Sequence, residues 1–459
     1  MASESRGFVA GLEGVPVAET RLSRVDGARG RLIVGGRDIE DLARSATYEE
    51  ACALLWAGDE VAPPANGVRA QLGEARVAAF ACIPSLGDAL RLPDAMDALR
   101  AAIAHLHERS LEDHDAVTGT SPGTGDGGGT PPENRAKPGT PTVMDETDSS
   151  SRYTAPSASE CRGGQSRSEL RGAGTPPKKE PTHENDVSWN GSARLTGAVA
   201  VFAAAWARLR AGALPVPADP ALGHAADYLR MLHGSVPSAE EVRALDAYLV
   251  TVIDHGLNAS TFAARVVAST GSDLVSAVTA AIGALKGPLH GGAPGPVLDM
   301  LDAVQSPERA AEWLGSELSA RRRIMGMGHR VYRVRDPRAA VLEAEIERLR
   351  GAIEAQGDPS SARVAARLEL SRAVEREATA LLAARHPNRA LRANVEFYTA
   401  VLLEAIGVPR ELFSATFAAA RTAGWTAHVA EERQKGRLIR PTSVYVGVEP
   451  ASYGESRAG

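Results

Sequence analysis

The chain has 459 residues, of which 44% are hydrophobic, enough apolar material to bury the cores of two or three domains. Its 51 basic and 57 acidic residues give a net charge of −6, which argues against a polybasic surface for nucleic acid or anionic membranes. Three cysteines far apart in the chain, Cys52, Cys82 and Cys161, argue against a disulfide framework and favour a reducing cytoplasm.

The N-terminal segment "MASESRGFVAGLEGVPVAET" lacks the basic region followed by an apolar region that marks a secretory signal. No part of the sequence approaches the roughly 20 continuous apolar residues that a membrane span requires. We therefore expect a cytoplasmic protein that makes no contact with a membrane.

The predicted elements begin with a β-hairpin and continue as helices. Residues 20–34, "TRLSRVDGARGRLIV", alternate apolar and polar side chains around a glycine-containing turn. Thr47 and Glu50 have the spacing of a capping box before "ACALLWAG", a helix expected to end at Gly58. Further helices are predicted at about 91–108, 193–212, 239–255, 259–269, 273–285, 338–356, 362–385, 394–406 and 410–432. Because no strands alternate with these helices, the predicted fold class is all-α.

Residues 110–190 differ from the rest of the chain, being rich in Gly, Pro, Ser, Thr and charge and poor in Leu, Ile and Phe. Such a segment buries too little apolar surface to offset the entropy of ordering, so we predict a disordered insertion. Long insertions at surface turns cost little free energy. A passive insertion is the simpler interpretation, and a regulatory or partner-binding segment is the alternative.

Three histidines lie in segments suited to a site. His255, in "DHGLNASTF", precedes a helix whose cap is Asn258 or Ser260. His290, in "LKGPLHGGA", is surrounded by glycines that allow a substrate to approach, and the following helix N-terminus disfavours imidazolium. A neutral imidazole there could donate a hydrogen bond to an enolate oxygen. His329 follows the Gly-Met-Gly turn of "RRRIMGMGHRVYRVRDPRA".

Arginines near these histidines could hold an anion. Arg338 follows His329 in the same segment, and its guanidinium fork suits a carboxylated carbonyl compound. Arg421 in "ARTAGWTAH" and Arg440 in "GRLIRPTSVY" are further candidates. Any one of these residues alone is more often structural or exposed. Together they indicate a site, because histidines flanked by glycine are poor core residues.

Other chemistries lack their motifs. The histidines have neither the H-E-x-x-H spacing nor a carboxylate at helical offset, so no metal is expected. The sequence contains no G-x-x-x-x-G-K-[ST] phosphate loop, and "GMG" at 326–328 is not a G-x-G-x-x-G after a strand. We therefore expect neither a nicotinamide cofactor nor a nucleoside triphosphate.

Glu396 lies at the start of an apolar helix in "ANVEFYTAVLLEAIGVP", with Asn394 as the cap. The first turn of a helix favours a charged carboxylate, and simple helix stabilisation is worth roughly 0.3–1 kcal/mol. The alternative is a charged base that removes a proton from a carbon acid, while His290 stabilises the enolate. Spacing alone does not separate the two interpretations.

The sequence resembles the citrate synthase family over nearly its whole length outside the insertion. The resemblance rests on "GLEGVPVAETRLSRVDGARGRLIVGGRDIEDLA", "DHGLNASTFAARVVASTGSDLVSAVTAAIGALKGPLHGGA", "GMGHRVYRVRDPRA" and "NVEFYTAVLLEAIGVPRELFSATFAAARTAGWTAHVAEERQKGRLIRPTSVYVG", in that order. It implies a homodimer with the two-domain helical fold of citrate synthases and a short N-terminal β-hairpin. The large domain would comprise residues 1–109, 191–295 and 395–459, and the small mobile domain residues 296–394.

The resemblance also implies the reaction, a Claisen condensation in the tricarboxylic acid cycle that joins acetyl-CoA to oxaloacetate and releases citrate and CoA. In such an acyltransferase Glu396 would abstract the proton, His290 would stabilise the enol, and His329 would protonate the oxaloacetate carbonyl. The remaining residues would bind substrates: His255, Arg338, Arg421 and a partner subunit's Arg440 would hold oxaloacetate, and Ile324, Met325, Gly326, Met327, Gly328 and Arg333 would hold CoA. The thioester is a substrate, and no cofactor is implied.

Two departures from the family pattern affect the site. Glu396 stands where the family has the aspartate of "NVD", and one added methylene can misplace a base by about 1 Å, at a cost on the order of 100-fold in rate. Pro294 and Gly295 stand where the family often has "GGANE". Two alternatives therefore stay open, namely 2-methylcitrate synthesis from propionyl-CoA and a catalytically weak regulatory paralogue that uses the insertion.

Overall fold

The computed structural model describes residues 9–12, 14–58, 63–106, 189–292 and 294–448. The predicted insertion lies outside these ranges, except that Trp189 and Asn190 already belong to the helix that follows it. The described residues belong to one compact unit. The predicted division into a large and a small domain stays a prediction.

The fold is all-α, as predicted, with one small sheet. The α-helices are α1 Ile39–Ser45, α2 Tyr48–Trp56, α3 Ala65–Cys82, α4 Ala95–Ala104, α5 Trp189–Arg210, α6 His224–His233, α7 Ala239–Val252, α8 Ala259–Ala268, α9 Leu274–Leu285, α10 Pro294–Val304, α11 Ala310–Ser319, α12 Pro337–Ala355, α13 Ser360–Arg385, α14 Val395–Ala405 and α15 Phe413–Lys435. Short 3-10 helices lie at Ala10–Leu12, Ile83–Leu86, Ala89–Arg91, Pro307–Arg309 and Arg410–Leu412. Helices α1, α3, α6 and α11 were not predicted.

The predicted hairpin is present as β1 Ser23–Asp26 and β2 Arg31–Val34, antiparallel in the register Ser23↔Val34 and Asp26↔Arg31. A third strand, β3 Arg37–Asp38, pairs with β2 and was not predicted. The side chain of Asp38 then caps α1 by accepting a hydrogen bond from the Glu40 amide.

The core centres on helices α5 and α15, which are apolar around most of their circumference and pack against each other. Small residues allow close crossings. A Cβ on Gly197 of α5 would lie 2.9 Å from the Cβ of Ala75 in α3. Packing at such distances fixes α5 against α3.

Among the residues that the structure describes, no helix is both long and apolar enough to cross a membrane.

Candidate active site

A cleft of about 1730 Å³ collects the predicted site residues from distant parts of the chain. Its lining includes every predicted catalytic, oxaloacetate-binding and CoA-binding residue except Arg440, namely His255, His290, Ile324, Met325, Gly326, Met327, Gly328, His329, Arg333, Arg338, Glu396 and Arg421. These side chains come from the loops after α7, α9 and α11, from the first turns of α12 and α14, and from the middle of α15.

His255 is buried in the loop between α7 and α8. Burial, and then the positive charge of Arg338, hold the pKa of its imidazole well below the usual range. Its Nε2 lies 3.2 Å from the hydroxyl of Tyr332, and its ring meets that of His329 edge-on at 5.5 Å. Asn258, one of the two predicted caps, is the cap of α8 and accepts a hydrogen bond from the Thr261 amide. His255 is therefore a neutral hydrogen-bonding group.

His290 is half-buried in the turn after α9. Burial, followed by the charge of Arg421, lowers the pKa of its imidazole to about 4, so the ring is neutral at pH 7. The Ser260 amide, which can only donate, lies 3.3 Å from Nε2, and the Ser260 hydroxyl lies 2.9 Å from it. Nε2 is then an acceptor, and the proton resides on Nδ1. The neutral state predicted for this residue is confirmed, although burial rather than a helix dipole is its main cause.

His329 begins the segment that leads into α12. Its Nδ1 accepts hydrogen bonds from the amides of Val331 and Tyr332, each at 3.0 Å, which places the proton of the neutral ring on Nε2. Burial, and then Arg338, lower the pKa of the imidazole to about 4. The ring also packs against that of Tyr332, with centroids 4.7 Å apart. Two main-chain donors thus fix the tautomer of this residue.

Arg338, in the first turn of α12, is held by the carboxylate of Asp336. Its Nε donates to Oδ1 at 3.0 Å and its Nη2 to Oδ2 at 2.7 Å, and both side chains are buried. Asp336 also caps α12 through the Arg338 amide and accepts from the Val395 amide at 3.3 Å. Burial opposes the charge of Arg338, but Asp336 outweighs it and raises the pKa of the guanidinium. The carboxylate therefore joins the first turns of α12 and α14.

Glu396 lies in the first turn of α14, capped by Asn394 as predicted. The Asn394 side chain accepts from the Glu396 amide at 3.0 Å, whereas the Oε2 atom of Glu396 is buried without a hydrogen-bond partner among the described residues. Burial raises the pKa of the carboxyl from its usual 4.5 to about 7, against the opposing charges of Arg338 and Arg421. The raised pKa runs against the expectation that the first turn of the helix favours the charged carboxylate, because burial outweighs the two arginine charges.

Arg421 lies in the middle of α15 and is 1% exposed. Its Nε donates to the carbonyl of Val252 at 2.5 Å, and its guanidinium lies 4.7 Å from the ring centroid of Phe417. Burial lowers the pKa of the guanidinium to about 10, so it stays charged at pH 7. At Gly424 a Cβ would lie 2.3 Å from the carbonyl of Ile253, so glycine lets α15 pass close beneath the His255 loop.

The Gly-Met-Gly loop is fastened to the segment that precedes Glu396. Met327 forms a β-bridge with Ala393, and the Asn394 amide donates to the Gly326 carbonyl at 2.9 Å. Gly326 has a φ of 69° and Gly328 a φ of 91°, in the left-handed region that favours glycine. The predicted CoA-binding loop and the candidate base therefore share one hydrogen-bonded unit.

Arg440 is exposed and does not line the cleft. It lies beyond the end of α15, in an extended segment with exposed apolar side chains. Its predicted placement in a partner subunit's site stays a prediction.

Some residues that contact the site were missed from sequence. Tyr332 touches both His255 and His329, Ser260 holds His290, and Asp336 holds Arg338. The sequence did carry a signal for Asp336, because an aspartate before a proline marks a helix start. Tyr332 and Ser260 act through contacts that only the folded chain reveals.

No cluster of three or more His, Cys, Asp or Glu side chains suited to a metal ion occurs within the described ranges. The protein is all-α, and its site residues surround one cleft. The cleft holds two buried arginines, three histidines of lowered pKa and one carboxyl of raised pKa. The pattern fits proton transfer beside a bound anion.

Known proteins show the same architecture. The family model "Citrate synthase, C-terminal domain" matches residues 11–122 and 164–442. A citrate synthase of Haloferax volcanii is 36% identical over 438 residues, 95% of each chain. A putative citrate synthase 2 of Mycobacterium tuberculosis is 47% identical over 216 residues, 47% of this chain and 54% of that protein. The crystal structure of a citrate synthase from Pyrobaculum aerophilum matches with a TM-score of 0.70 and 28% identity, covering 99% of this chain and 96% of that one. The chain belongs to the citrate synthase family.

Proposed function

We propose that this protein condenses acetyl-CoA with oxaloacetate and water to give citrate and CoA, as an acyltransferase that converts the acyl group to an alkyl group on transfer. The observation that carries the proposal is the carboxyl of Glu396, whose pKa is raised to about 7, in one cleft with two neutral histidines and two buried arginines. Membership of the citrate synthase family supports the same reaction type.

Oxaloacetate binds through its two carboxylates. Arg338 and Arg421 are buried and charged. Arg338 pairs with Asp336 through Nε and Nη2, so the Nη1 donors of Arg338 do not take part in that pair. Guanidinium forks bind carboxylates with defined geometry, and burial strengthens the interaction. His255, neutral and oriented by Tyr332, donates to or accepts from the same substrate. A partner subunit's Arg440 completes the anion site.

Glu396 and His290 convert acetyl-CoA to its enolate. The ionised carboxylate of Glu396 removes a proton from the acetyl methyl group, and a base with a pKa of about 7 has an effective strength near neutral pH. The Nδ1–H of His290 donates to the thioester oxygen as it gains enolate charge. Because Ser260 fixes the other ring nitrogen, this donor is preorganised.

Carbon–carbon bond formation requires a second proton donor. As the enolate carbon attacks the keto carbon of oxaloacetate, the Nε2–H of His329 protonates the keto oxygen. The two amides on Nδ1 keep the proton on Nε2 beforehand. Water then hydrolyses the citryl thioester, which releases citrate and CoA.

CoA lies along the loop from Ile324 to Gly328, with Arg333 near its phosphates. In the homodimer, a small domain formed by residues 296–394 closes over the substrates and excludes water. No cofactor takes part, and CoA enters as a substrate. The protein is cytoplasmic.

The test of the proposal is release of CoA from purified protein, followed with a thiol reagent. We expect release only when both acetyl-CoA and oxaloacetate are present. Comparison of kcat/KM for acetyl-CoA and propionyl-CoA decides between citrate and 2-methylcitrate synthesis, because one methylene changes binding by only about 1–3 kcal/mol. A preference for propionyl-CoA would refute the choice of acetyl-CoA as the acyl donor. Folded protein that releases no CoA would refute the proposal that the protein is an enzyme.

A further inference from the structure

The tip of the β1–β2 hairpin touches the segment that carries His329. A Cβ built on Gly27 would lie 2.3 Å from the carbonyl oxygen of Val331, 2.8 Å from its carbonyl carbon and 2.9 Å from its Cγ1. Gly27 does not have a positive φ, so its backbone conformation is open to any residue. Glycine is needed at this position for close approach, and the group approached is a peptide of the active-site segment.

The peptide that meets Gly27 is one of the two that fix His329. The Val331 carbonyl and the Tyr332 amide belong to the same planar trans peptide, so they point in opposite directions. The carbonyl faces Gly27, and the amide donates to Nδ1 of His329 at 3.0 Å. Any displacement of the carbonyl therefore moves one of the two donors that set the imidazole tautomer.

A second contact holds the same segment to the hairpin. The Arg333 amide donates to the carbonyl of Gly27 at 2.9 Å. The turn thus contacts the peptide on one side of Tyr332 by packing and the peptide on its other side by a hydrogen bond. The hairpin supports this segment rigidly, because all four residues of β1 pair with the four residues of β2.

We propose that Gly27 is a positioning residue for His329. Its missing side chain lets the Val331 carbonyl pack against the turn, which aims the Tyr332 amide at Nδ1 and keeps the ring proton on Nε2, where it can reach the substrate. The catalytic consequence rests on the proposed function of His329, whereas the effect on the tautomer does not depend on it.

The test is Gly27→Ala. The added methyl group forces the Val331 carbonyl away, so the Tyr332 amide loses its alignment with Nδ1. Only the Val331 amide then still favours an unprotonated Nδ1, and the tautomer protonated at Nδ1 gains population. We expect kcat to fall about 10- to 100-fold, the size of effect that a misplacement of about 1 Å produces. The tautomer is measured by solid-state 15N NMR of histidine-labelled protein, with His329→Gln used to assign the signal among the 11 histidines.

Two variants serve as controls. Gly351→Ala in α12 makes the same chemical change where a Cβ meets nothing within 4 Å, and both tautomer and kcat should match the wild type. Gly30→Ala strains the same turn, because Gly30 has a φ of 64°, but its Cβ would meet the Val334 side chain rather than the Val331 peptide. It should lower Tm while the tautomer of His329 stays as in the wild type.

The proposal is overturned if Gly27→Ala keeps the wild-type tautomer, if wild-type His329 is protonated at Nδ1, or if Gly30→Ala shifts the tautomer equally. Should Gly27→Ala fail to fold, Gly27→Ala/Val331→Ala removes the side-chain part of the clash and retains the clash with the carbonyl, so the same tautomer shift is expected. The NMR measurement needs no turnover. Absence of CoA release from wild-type protein would therefore refute the proposed reaction but would leave the effect of Gly27 on the His329 tautomer to be decided by NMR.

Discussion

At the scale of single residues, Glu396 is the departure that matters most, because it replaces a shorter carboxylate in the family pattern. Its position at the helix start was readable from sequence, and so was its Asn394 cap. Its protonation was not, because the pKa depends on burial of the carboxyl and on the opposing charges of Arg338 in α12 and Arg421 in α15. The same limit applies to His329, whose neutral state comes mainly from desolvation.

Shortening the base tests whether this cleft has adapted to glutamate. We expect Glu396→Asp to retain or exceed wild-type kcat, because the family resemblance implies an aspartate carboxylate at this position. Steady-state kcat with acetyl-CoA and oxaloacetate measures the effect. A loss of about 100-fold would show instead that the backbone here is set for the longer side chain.

The raised pKa of Glu396 predicts the pH dependence of the reaction. Proton abstraction needs the ionised carboxylate, so kcat/KM for acetyl-CoA should rise with pH and level off above a pKa of about 7. Glu404→Gln is a matched control, because Glu404 lies on the same helix in a peripheral ion pair with Arg367. This control should keep the wild-type profile, and a wild-type profile that is flat across pH 7 would count against Glu396 as the base.

The raised pKa of Glu396 should also make the stability of the protein depend on pH. A carboxyl whose folded-state pKa lies above its usual 4.5 binds more protons in the folded protein, so its ionisation costs stability as pH rises from about 4.5 to about 7. Glu396→Gln removes that cost and should raise the free energy of unfolding at pH 8 by up to roughly 3 kcal/mol. Thermal unfolding at about pH 5 should show a much smaller gain, and an equal gain at both pH values would refute the shift.

At the scale of elements, capping and glycine signals located most helices to within a few residues. The Thr47–Glu50 capping box is present, and α2 ends at Trp56, shortly before Gly58. The helix predicted at 91–108 is shorter, because Asp94 caps it and α4 begins at Ala95. Helix α3, "ANGVRAQLGEARVAAFAC", was missed because three of its six buried residues are alanine or glycine and a fourth is Arg76, which weakens its hydrophobic periodicity.

Asp336 links two of these elements, so its removal should affect both binding and stability. Asp336→Asn replaces a buried carboxylate that pairs with Arg338 and also contacts the α14 N-terminus. We expect a loss of about 3 kcal/mol, since breaking a buried ion pair leaves an uncompensated charge. The KM for oxaloacetate should rise at least about tenfold, because Arg338 loses its orientation.

A surface pair provides the control for this variant. Asp41 and Arg44 form an exposed pair, and Asp41→Asn should change stability by less than about 0.5 kcal/mol. Denaturant unfolding measures both variants. Equal effects from the buried and the exposed substitution would show that Asp336 does not organise the site.

At the scale of the whole molecule, the site residues lie far apart in sequence, and residue chemistry together with the family resemblance grouped them before the fold was known. Spacing could not do so, because contacts such as His255–Tyr332 join positions 77 residues apart. The small-domain boundaries and the place of Arg440 in a dimer stay predictions. The first concerns a division within the chain, and the second concerns contacts between two chains.

The predicted insertion offers a test at this scale. Removal of residues 115–182 should leave kcat, KM and the oligomeric state unchanged, because the site residues all lie outside them. Steady-state kinetics and analytical ultracentrifugation of the shortened chain measure these quantities. A changed response to substrates or a change of oligomeric state would support the regulatory alternative.

The most direct test of the account measures CoA release by wild-type protein and by Glu396→Gln, side by side, with acetyl-CoA and oxaloacetate. We expect release by the wild type that requires both substrates, and loss of most activity in the folded Gln variant. Undiminished release by Glu396→Gln would contradict the assignment of this carboxylate as the base.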